Sequence, residues 1–134
     1  MTATGLSDPV KLLLMLNAAE ETGGIQPRKL PYYVLLLDRE KIADFRYRFY
    51  WSSKTSRLEC LGLKRDIDTL LDSELAKLSS PLKILPEGID YLKRYVPSDR
   101  IEAIGERLSK SLDQLQKKDD TTLETEARNL LGVS

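Results

Sequence analysis

The sequence predicts a mainly α-helical molecule with a small β component. Apolar residues recur at three- and four-residue steps along most of the 134 residues, which is the period of an amphipathic helix. Serine, proline and glycine interrupt these stretches at short intervals, as they do at helix ends. Only residues 44–51 change to the period of two that a half-buried strand requires. A chain of this length suits one unit with a substantial hydrophobic core.

The first helix is predicted to run from Asp8 to about Glu21. Aspartate is a favoured N-cap, and Pro9 fits the first helical position because an amide there would have no partner inside the helix. A leucine-rich run follows. Gly23 and Gly24 end the helix, since glycine readily adopts the left-handed conformation that closes a helix.

The second helix is predicted to begin near Leu30 and to reach about Ile42. Pro31 sets its start, because proline is tolerated in the first turn of a helix but not in the interior. A strand follows over residues 44–51, where aromatic side chains alternate with Arg46 and Arg48. We expect the aromatic side to face the core and the two arginines to point outward.

The third helix is predicted to open at Ser56. The sequence Ser56-Arg57-Leu58-Glu59 fits the capping box, in which serine and glutamate satisfy each other's free amides. The helix is predicted to continue along an apolar stripe to Leu78, where a Ser-Ser-Pro sequence ends it. A short strand over residues 82–85 and a helix from Pro86 through Tyr95 follow.

The chain is predicted to divide at Pro97. Residues 1–97 contain all nine aromatic residues and form the head of the molecule, whereas residues 98–134 form a C-terminal helical arm. The arm consists of one long helix and a short one over residues 122–131. The apolar stripe of the long helix is predicted to make a homodimer, or to pack on the head of its own chain. Its members are Ile101, Ile104, Leu108, Leu112 and Leu115.

The residue types that are missing exclude most catalytic chemistry. Without histidine there is no imidazole base and no Ser-His-Asp triad. Cys60 is single and has leucine neighbours, so we interpret it as a buried apolar residue. No glycine-rich phosphate loop is present. We therefore expect no enzyme, no cofactor and no metal. A Mg²⁺-dependent nuclease using Asp38, Glu40 or Asp44 is the remaining alternative, but these carboxylates are mixed with basic residues, as on a solvated face.

Apolar runs of the chain are far shorter than the roughly 20 residues of a membrane-spanning helix. No signal peptide is recognisable either. The sequence therefore predicts a soluble, cytoplasmic protein without a membrane partner.

The net charge of zero hides an uneven distribution. Residues 26–65 contain ten basic and four acidic residues, whereas residues 66–134 contain ten basic and fourteen acidic residues. A local positive excess attracts polyanions such as nucleic acid. Alternatively, the basic centre pairs with the acidic arm, within one molecule or across a dimer.

Four short motifs occur in a particular order. Lys11-Leu12-Leu13-Leu14 lies in the first helix, and residues 28–37 read Arg-Lys-Leu-x-x-x-Val-x-x-Leu at the start of the second. Tyr47-Arg48-Phe49 and Leu85-Pro86-Glu87-Gly88 follow. Over residues 9–95 this order resembles the small prokaryotic winged-helix proteins of the YwgA-like type, which share a layout with the Panacea antitoxin-associated domain. In that family Gly-Pro-Tyr-Ser usually stands where this chain has Ser53-Lys54-Thr55-Ser56.

The resemblance implies a winged helix-turn-helix with a C-terminal helical extension and a small transcriptional regulator that binds double-stranded DNA. Residues 56–71 become the recognition helix, and further basic residues contact the DNA backbone. The implied nucleic-acid-binding residues are Arg28, Lys29, Lys54, Arg57, Lys64 and Arg65. A second function stays open, an antitoxin-like module that binds a protein partner and no DNA, because a fold does not fix a function.

Overall fold

The computed structural model describes residues 6–41, 43–79 and 81–133. This part of the chain is mainly helical with two small antiparallel sheets, which confirms the predicted mixture of α and β structure. The elements are α1 Asp8–Ala18, a short 3₁₀ helix Ala19–Thr22, α2 Leu30–Arg39, β1 Tyr50–Ser52, β2 Arg57–Glu59, α3 Leu61–Asp72, β3 Ala76–Lys77, β4 Lys83–Ile84, α4 Pro86–Tyr95, α5 Ser98–Leu115 and α6 Asp120–Leu130.

Helix α1 lies at the centre of the hydrophobic core. Its residues Leu12 to Leu16 are almost completely buried on every side of the helix, because α3, α4, α5 and β4 all pack around it. Such a helix needs no polar face. Its N-cap is Ser7 rather than the predicted Asp8, which is the first helical residue. The last residues of the predicted first helix form the 3₁₀ helix Ala19–Thr22 instead of continuing α1. Gly23, with a φ of 90°, ends this 3₁₀ helix.

Helix α5 buries its apolar stripe inside its own chain. Four of the five residues predicted to form a dimer are buried in the common core, and the fifth is half-buried. The main partner of α5 is α1. The stripe therefore packs within one molecule, which is the alternative to the predicted homodimer, and its four buried side chains are not available to a second copy. The residues are Ile101, Ile104, Leu108, Leu112 and Leu115.

Helix α6 continues the same core beyond the boundary predicted at Pro97. Its buried residues Leu123 and Ala127 pack where α6 contacts α2 and β2. The guanidinium of Arg128 lies 5.3 Å from the centroid of the Trp51 ring, a cation–π contact that joins α6 to the β1–β2 hairpin. Core residues on both sides of Pro97 thus belong to one continuous cluster.

The aromatic segment before β1 keeps the predicted alternation but forms little sheet. Phe45 is buried and Arg46 and Arg48 are exposed, as predicted. Regular pairing is confined to Tyr50–Ser52, however, because β2 offers only three partners. Upstream, the amide of Phe45 donates to the Asp38 carboxylate at 2.9 Å instead of to a neighbouring strand. The predicted strand over 44–51 was therefore too long.

The N-cap of the third helix was predicted four residues too early. Ser56 has a φ of 53° and lies in the turn between β1 and β2, so it does not cap a helix. Helix α3 begins at Leu61, and Cys60 is its N-cap, with its Sγ accepting the Leu63 amide at 3.4 Å. Cys60 is also buried, as predicted. Glu59 is held in the hairpin, opposite Tyr50.

Helix α3 also ends earlier than predicted. It stops at Asp72, and Glu74 takes a left-handed φ of 58°. The chain then forms the antiparallel pair β3–β4, and Leu82, just before β4, pairs with Ile25 in an isolated bridge. The start of α2 at Leu30 is as predicted. The helix ends at Arg39, before the predicted end near Ile42, because the chain leaves the helical conformation at Lys41, which has a φ of 59°. Ile42 itself lies outside the described residues.

Candidate functional site

A groove of about 700 Å³ lies beside the first half of α3. Helix α3 lines it with Leu61, Lys64 and Ile67. The N-terminal ends of α2 and α6 and the β1–β2 hairpin contribute further walls, together with Leu78 from the connection between β3 and β4. Volumes of this size are typical of ligand-binding clefts. Five separate segments of the chain therefore meet at one concave surface.

Four of the six predicted nucleic-acid-binding residues line this groove. Arg28 and Lys29 come from the residues just before α2, and Lys64 comes from α3. Arg57 belongs to β2 rather than to the predicted recognition helix. Lys54 in the hairpin turn and Arg65 on α3 are exposed outside the groove. The six residues are Arg28, Lys29, Lys54, Arg57, Lys64 and Arg65.

Two of these cations are paired with the terminal helix. Asp120, the first residue of α6, lies 3.5 Å from Nη2 of Arg28 and 3.8 Å from Nζ of Lys29. Because Arg28 and Asp120 are both largely exposed, each pair adds little stability, about 0–1 kcal/mol. The carboxylate of Asp120 also reduces the positive charge of the groove, because it pairs with two of its cations. No ion pair joins Arg57 or Lys64 to another described residue.

The hairpin end of the groove holds a small polar network. Glu59 accepts hydrogen bonds from the hydroxyl of Tyr50 at 3.1 Å and from the hydroxyl of Thr55 at 3.0 Å. The bond to Glu59 raises the pKa of Tyr50 above its usual value. Glu59 is thus engaged by neutral donors within the hairpin rather than by the guanidinium of Arg57.

Two leucines of the groove are strongly exposed, which the sequence analysis did not predict. Leu61 is 68% exposed and Leu78 is 62% exposed. The periodicity placed Leu78 on the apolar stripe of a longer helix, but the left-handed turn after α3 moves it onto the β3–β4 connection. Exposed leucines that share a concave surface are a common feature of binding sites.

Two further lysines were missed by sequence reasoning. Lys77 and Lys83 are cross-strand partners in the β3–β4 hairpin, and both are exposed. Their neighbours Ala76 and Ile84 pair on the opposite, buried face. The signal was present in the sequence, since a lysine stands on each side of the Ser-Ser-Pro sequence, but it is meaningful only once a hairpin replaces the predicted end of the third helix.

Comparisons of this chain with protein-family models, with curated proteins and with solved structures found no match. Across the described residues, every helix is too short or too polar to cross a membrane.

The carboxylates considered for a nuclease do not gather into a site. Asp38 accepts the amide of Phe45, and burial raises the pKa of the Asp38 carboxyl. Glu40 and Asp44 are exposed. In the described part of the chain, no three metal-ligating side chains lie close enough to hold one ion.

Proposed function

We propose that this protein binds double-stranded DNA as a winged helix-turn-helix, with α3 as the recognition helix and the β3–β4 hairpin as the wing. The order of elements supports this fold. Helix α1 is followed by Ile25, which bridges to Leu82, then by α2, α3 and the two strands of the wing. The β1–β2 hairpin is an insertion between α2 and α3.

The observation that carries the proposal is the distribution of cations on these elements. Lys64 and Arg65 are exposed on the first half of α3, where the positive end of the helix dipole adds to their charge. Lys77 and Lys83 are exposed side by side on the proposed wing. In a winged helix the recognition helix enters the major groove, and flanking cations contact phosphates.

The contributions of the other cations follow from their positions. Arg28 and Lys29 precede α2 and are placed for phosphate contacts, as are Lys54 and Arg57 on the β1–β2 hairpin. We propose that one chain binds DNA as a monomer, because the stripe of α5 that was predicted to make a homodimer is buried in the molecule. A regulator of this kind works where chromosomal DNA lies, which is the cytoplasm in a prokaryote.

The test is fluorescence anisotropy with a random DNA duplex at two salt concentrations. We expect affinity to fall steeply with salt, because each phosphate contact releases counterions and adds about 0.9 to the slope of log K against log salt. The charge reversal Lys64→Glu with Arg65→Glu is expected to weaken binding at least about tenfold. The matched control is Lys93→Glu with Arg94→Glu, which reverses two exposed cations on α4.

Two results would overturn the DNA proposal. One is the absence of duplex binding by the parent protein at low salt. The other is an equal loss of affinity in the α4 control, which would mean that the net charge alone matters and that α3 has no special role.

An acidic protein partner is the second candidate function. Leu61 and Leu78 favour it, because both are exposed beside Arg57 and Lys64 and phosphate contacts do not use leucine. If this protein is not retained on a duplex DNA column at low salt, DNA binding is wrong and the acidic protein partner becomes the preferred function.

A further inference from the structure

We propose that the groove beside α3 binds a small anionic amphiphile, a molecule with a carboxylate or similar head and an apolar body, and that this ligand controls DNA binding. The ligand site stands on the geometry of the groove alone. Its control of DNA binding rests on the proposed function.

The size of the groove selects a small molecule. Its volume of about 700 Å³ lies within the range of roughly 300–1,000 Å³ that is usual for small-ligand sites. A protein partner would instead require a surface of about 800 Å² on each side. The groove is also bounded by several elements of the chain, since the β1–β2 hairpin and the β3–β4 connection both contribute to its lining.

The lining selects the chemistry of the ligand. Leu61, Ile67 and Leu78 offer an apolar surface, and the two leucines are the most exposed large apolar side chains of the described residues. Burying them releases water and favours an apolar ligand body. Arg57 and Lys64 line the same groove without an ion pair to a described residue.

Three carboxylates, Glu59, Asp120 and Glu124, line the groove as well, against four cations. Glu59 accepts hydrogen bonds from Tyr50 and Thr55, and Asp120 pairs with Arg28 and Lys29. The charge of Arg57 and Lys64 therefore favours an anionic head.

Lys64 belongs both to the proposed ligand site and to the proposed DNA-binding surface. This lysine lines the groove and also lies on the face of α3 that the proposed function assigns to DNA. A ligand carboxylate beside Lys64 neutralises its charge, and DNA then loses one favourable contact. Ligand and DNA therefore oppose each other, and by linkage each weakens the binding of the other by the same factor.

The test uses octanoate as the anionic probe, with 1-octanol and octyltrimethylammonium as neutral and cationic probes of the same chain length. Binding is measured by calorimetry and by the NMR shifts of the Leu61 and Leu78 methyl groups. We expect saturable binding of octanoate, weaker binding of 1-octanol and no binding of the cation. The double variant Arg57→Gln with Lys64→Gln is expected to weaken octanoate binding at least about tenfold and to leave 1-octanol unchanged.

A second variant tests the apolar part. Leu61→Ser with Leu78→Ser is expected to weaken octanoate and 1-octanol together, and both leucines are exposed enough that the fold should tolerate the change. Lys93→Gln with Arg94→Gln on α4 is the matched control for the double variant Arg57→Gln with Lys64→Gln, because it also removes two exposed positive charges. An absence of saturable octanoate binding, equal binding of octanoate and 1-octanol, or an equal loss of octanoate binding in the Lys93→Gln with Arg94→Gln control would overturn the ligand site.

The regulatory step is tested separately by titrating octanoate into the DNA complex. We expect a severalfold loss of DNA affinity in the parent protein. If octanoate binds and DNA affinity does not change, the control of DNA binding is wrong and the ligand site stands.

Arg65→Gln separates the two proposals, because Arg65 lies outside the groove. This variant should weaken DNA binding and leave octanoate binding intact. An acidic peptide that binds the groove where octanoate does not would overturn the ligand proposal in favour of a protein partner.

Discussion

Lys11 shows how a single charge is accommodated in an apolar helix. It lies within the leucine-rich run of α1 and is almost completely buried. Its ammonium group donates to the carbonyl of Asp44 and lies 3.6 Å from a carboxylate oxygen of Asp8. The same carboxylate accepts the amide of Arg46 at 3.3 Å. Because a buried charge is costly unless it is paired, these contacts tie the start of the aromatic segment to α1.

Tyr47 makes a comparable contact on the other side of this segment. Its hydroxyl donates to the carboxylate of Asp66 on α3 at 2.5 Å, and its ring lies against Gly62, leaving little room for a side chain there. Burial, together with this hydrogen bond to Asp66, raises the pKa of Tyr47 well above its usual value. The phenol therefore stays neutral and serves as a fixed donor that positions the start of α3.

At the scale of one residue, we predict that Asp38→Asn changes the pH dependence of stability. Burial raises the pKa of the Asp38 carboxyl in the folded state, so the folded chain holds this proton more tightly than the unfolded chain does. The contribution of Asp38 to stability is therefore lost as the pH rises through its folded pKa. Asparagine keeps an acceptor for the Phe45 amide and never ionises.

The measurement is urea denaturation of both proteins from about pH 3.5 to about pH 7. We expect the unfolding free energy of the variant, relative to that of the parent, to increase as the pH rises. A relative gain by the parent with rising pH would show that the hydrogen bond from Phe45 outweighs burial.

At the scale of an element, α4 depends on Gly88 in its first turn. A Cβ built at this position would lie only 2.2 Å from the carbonyl oxygen of Leu75 and 2.7 Å from a side-chain carbon of Ile84. The residue that precedes β3 is thus packed directly against the helix backbone. Leu85, the N-cap of α4, also donates its amide to the Leu75 carbonyl at 3.0 Å.

We predict that Gly88→Ala destabilises the protein by about 2 kcal/mol or more, because the added methyl group displaces the backbone at Leu75. Gly105→Ala on α5 is the control, since a Cβ there meets nothing within 4 Å. Alanine should stabilise that helix by about 0.5–1 kcal/mol. Thermal denaturation of both variants followed by circular dichroism provides the comparison. Equal stability of the parent and Gly88→Ala would contradict the prediction.

At the scale of the whole molecule, α6 reduces the positive charge of the groove from a distance of 92 residues in sequence. We predict that Asp120→Asn raises the affinity for duplex DNA roughly severalfold at low salt, because Arg28 and Lys29 are then no longer offset. Asp113→Asn on α5 is the control, since the Asp113 carboxylate pairs with Lys117, 3.6 Å away and beyond the end of that helix. Anisotropy titrations of the two variants measure the difference. Equal affinities would mean that Asp120 does not influence DNA binding.

We also predict that the protein is a monomer in solution. The stripe of α5 that could have formed a dimer is buried against α1, and a stable dimer needs a large complementary surface. Size-exclusion chromatography with light scattering should give a mass near 15.2 kDa. A mass twice that value, independent of DNA, would show that a surface other than this stripe dimerises.

Local rules predicted several elements of the fold correctly. Pro31 fixed the start of α2 within one residue, and the alternation around Phe45 gave the correct buried side. The same rules failed at Ser56, where a capping-box pattern competed with the pairing of Tyr50 and Glu59 across the hairpin. A capping box is read from four consecutive residues, whereas hairpin pairing depends on a partner strand that sequence periodicity did not reveal.

The sequence by itself determined the helical class of this protein and the face that most of its helices bury, because periodicity and proline act over a few neighbouring residues. Only the tertiary structure decided that α5 turns its stripe to α1. It also decided that Arg28, Arg57 and Lys64 share one groove and that Asp120 approaches the first of them. These contacts join segments far apart in the chain, and they depend on the packing of whole helices rather than on any local pattern.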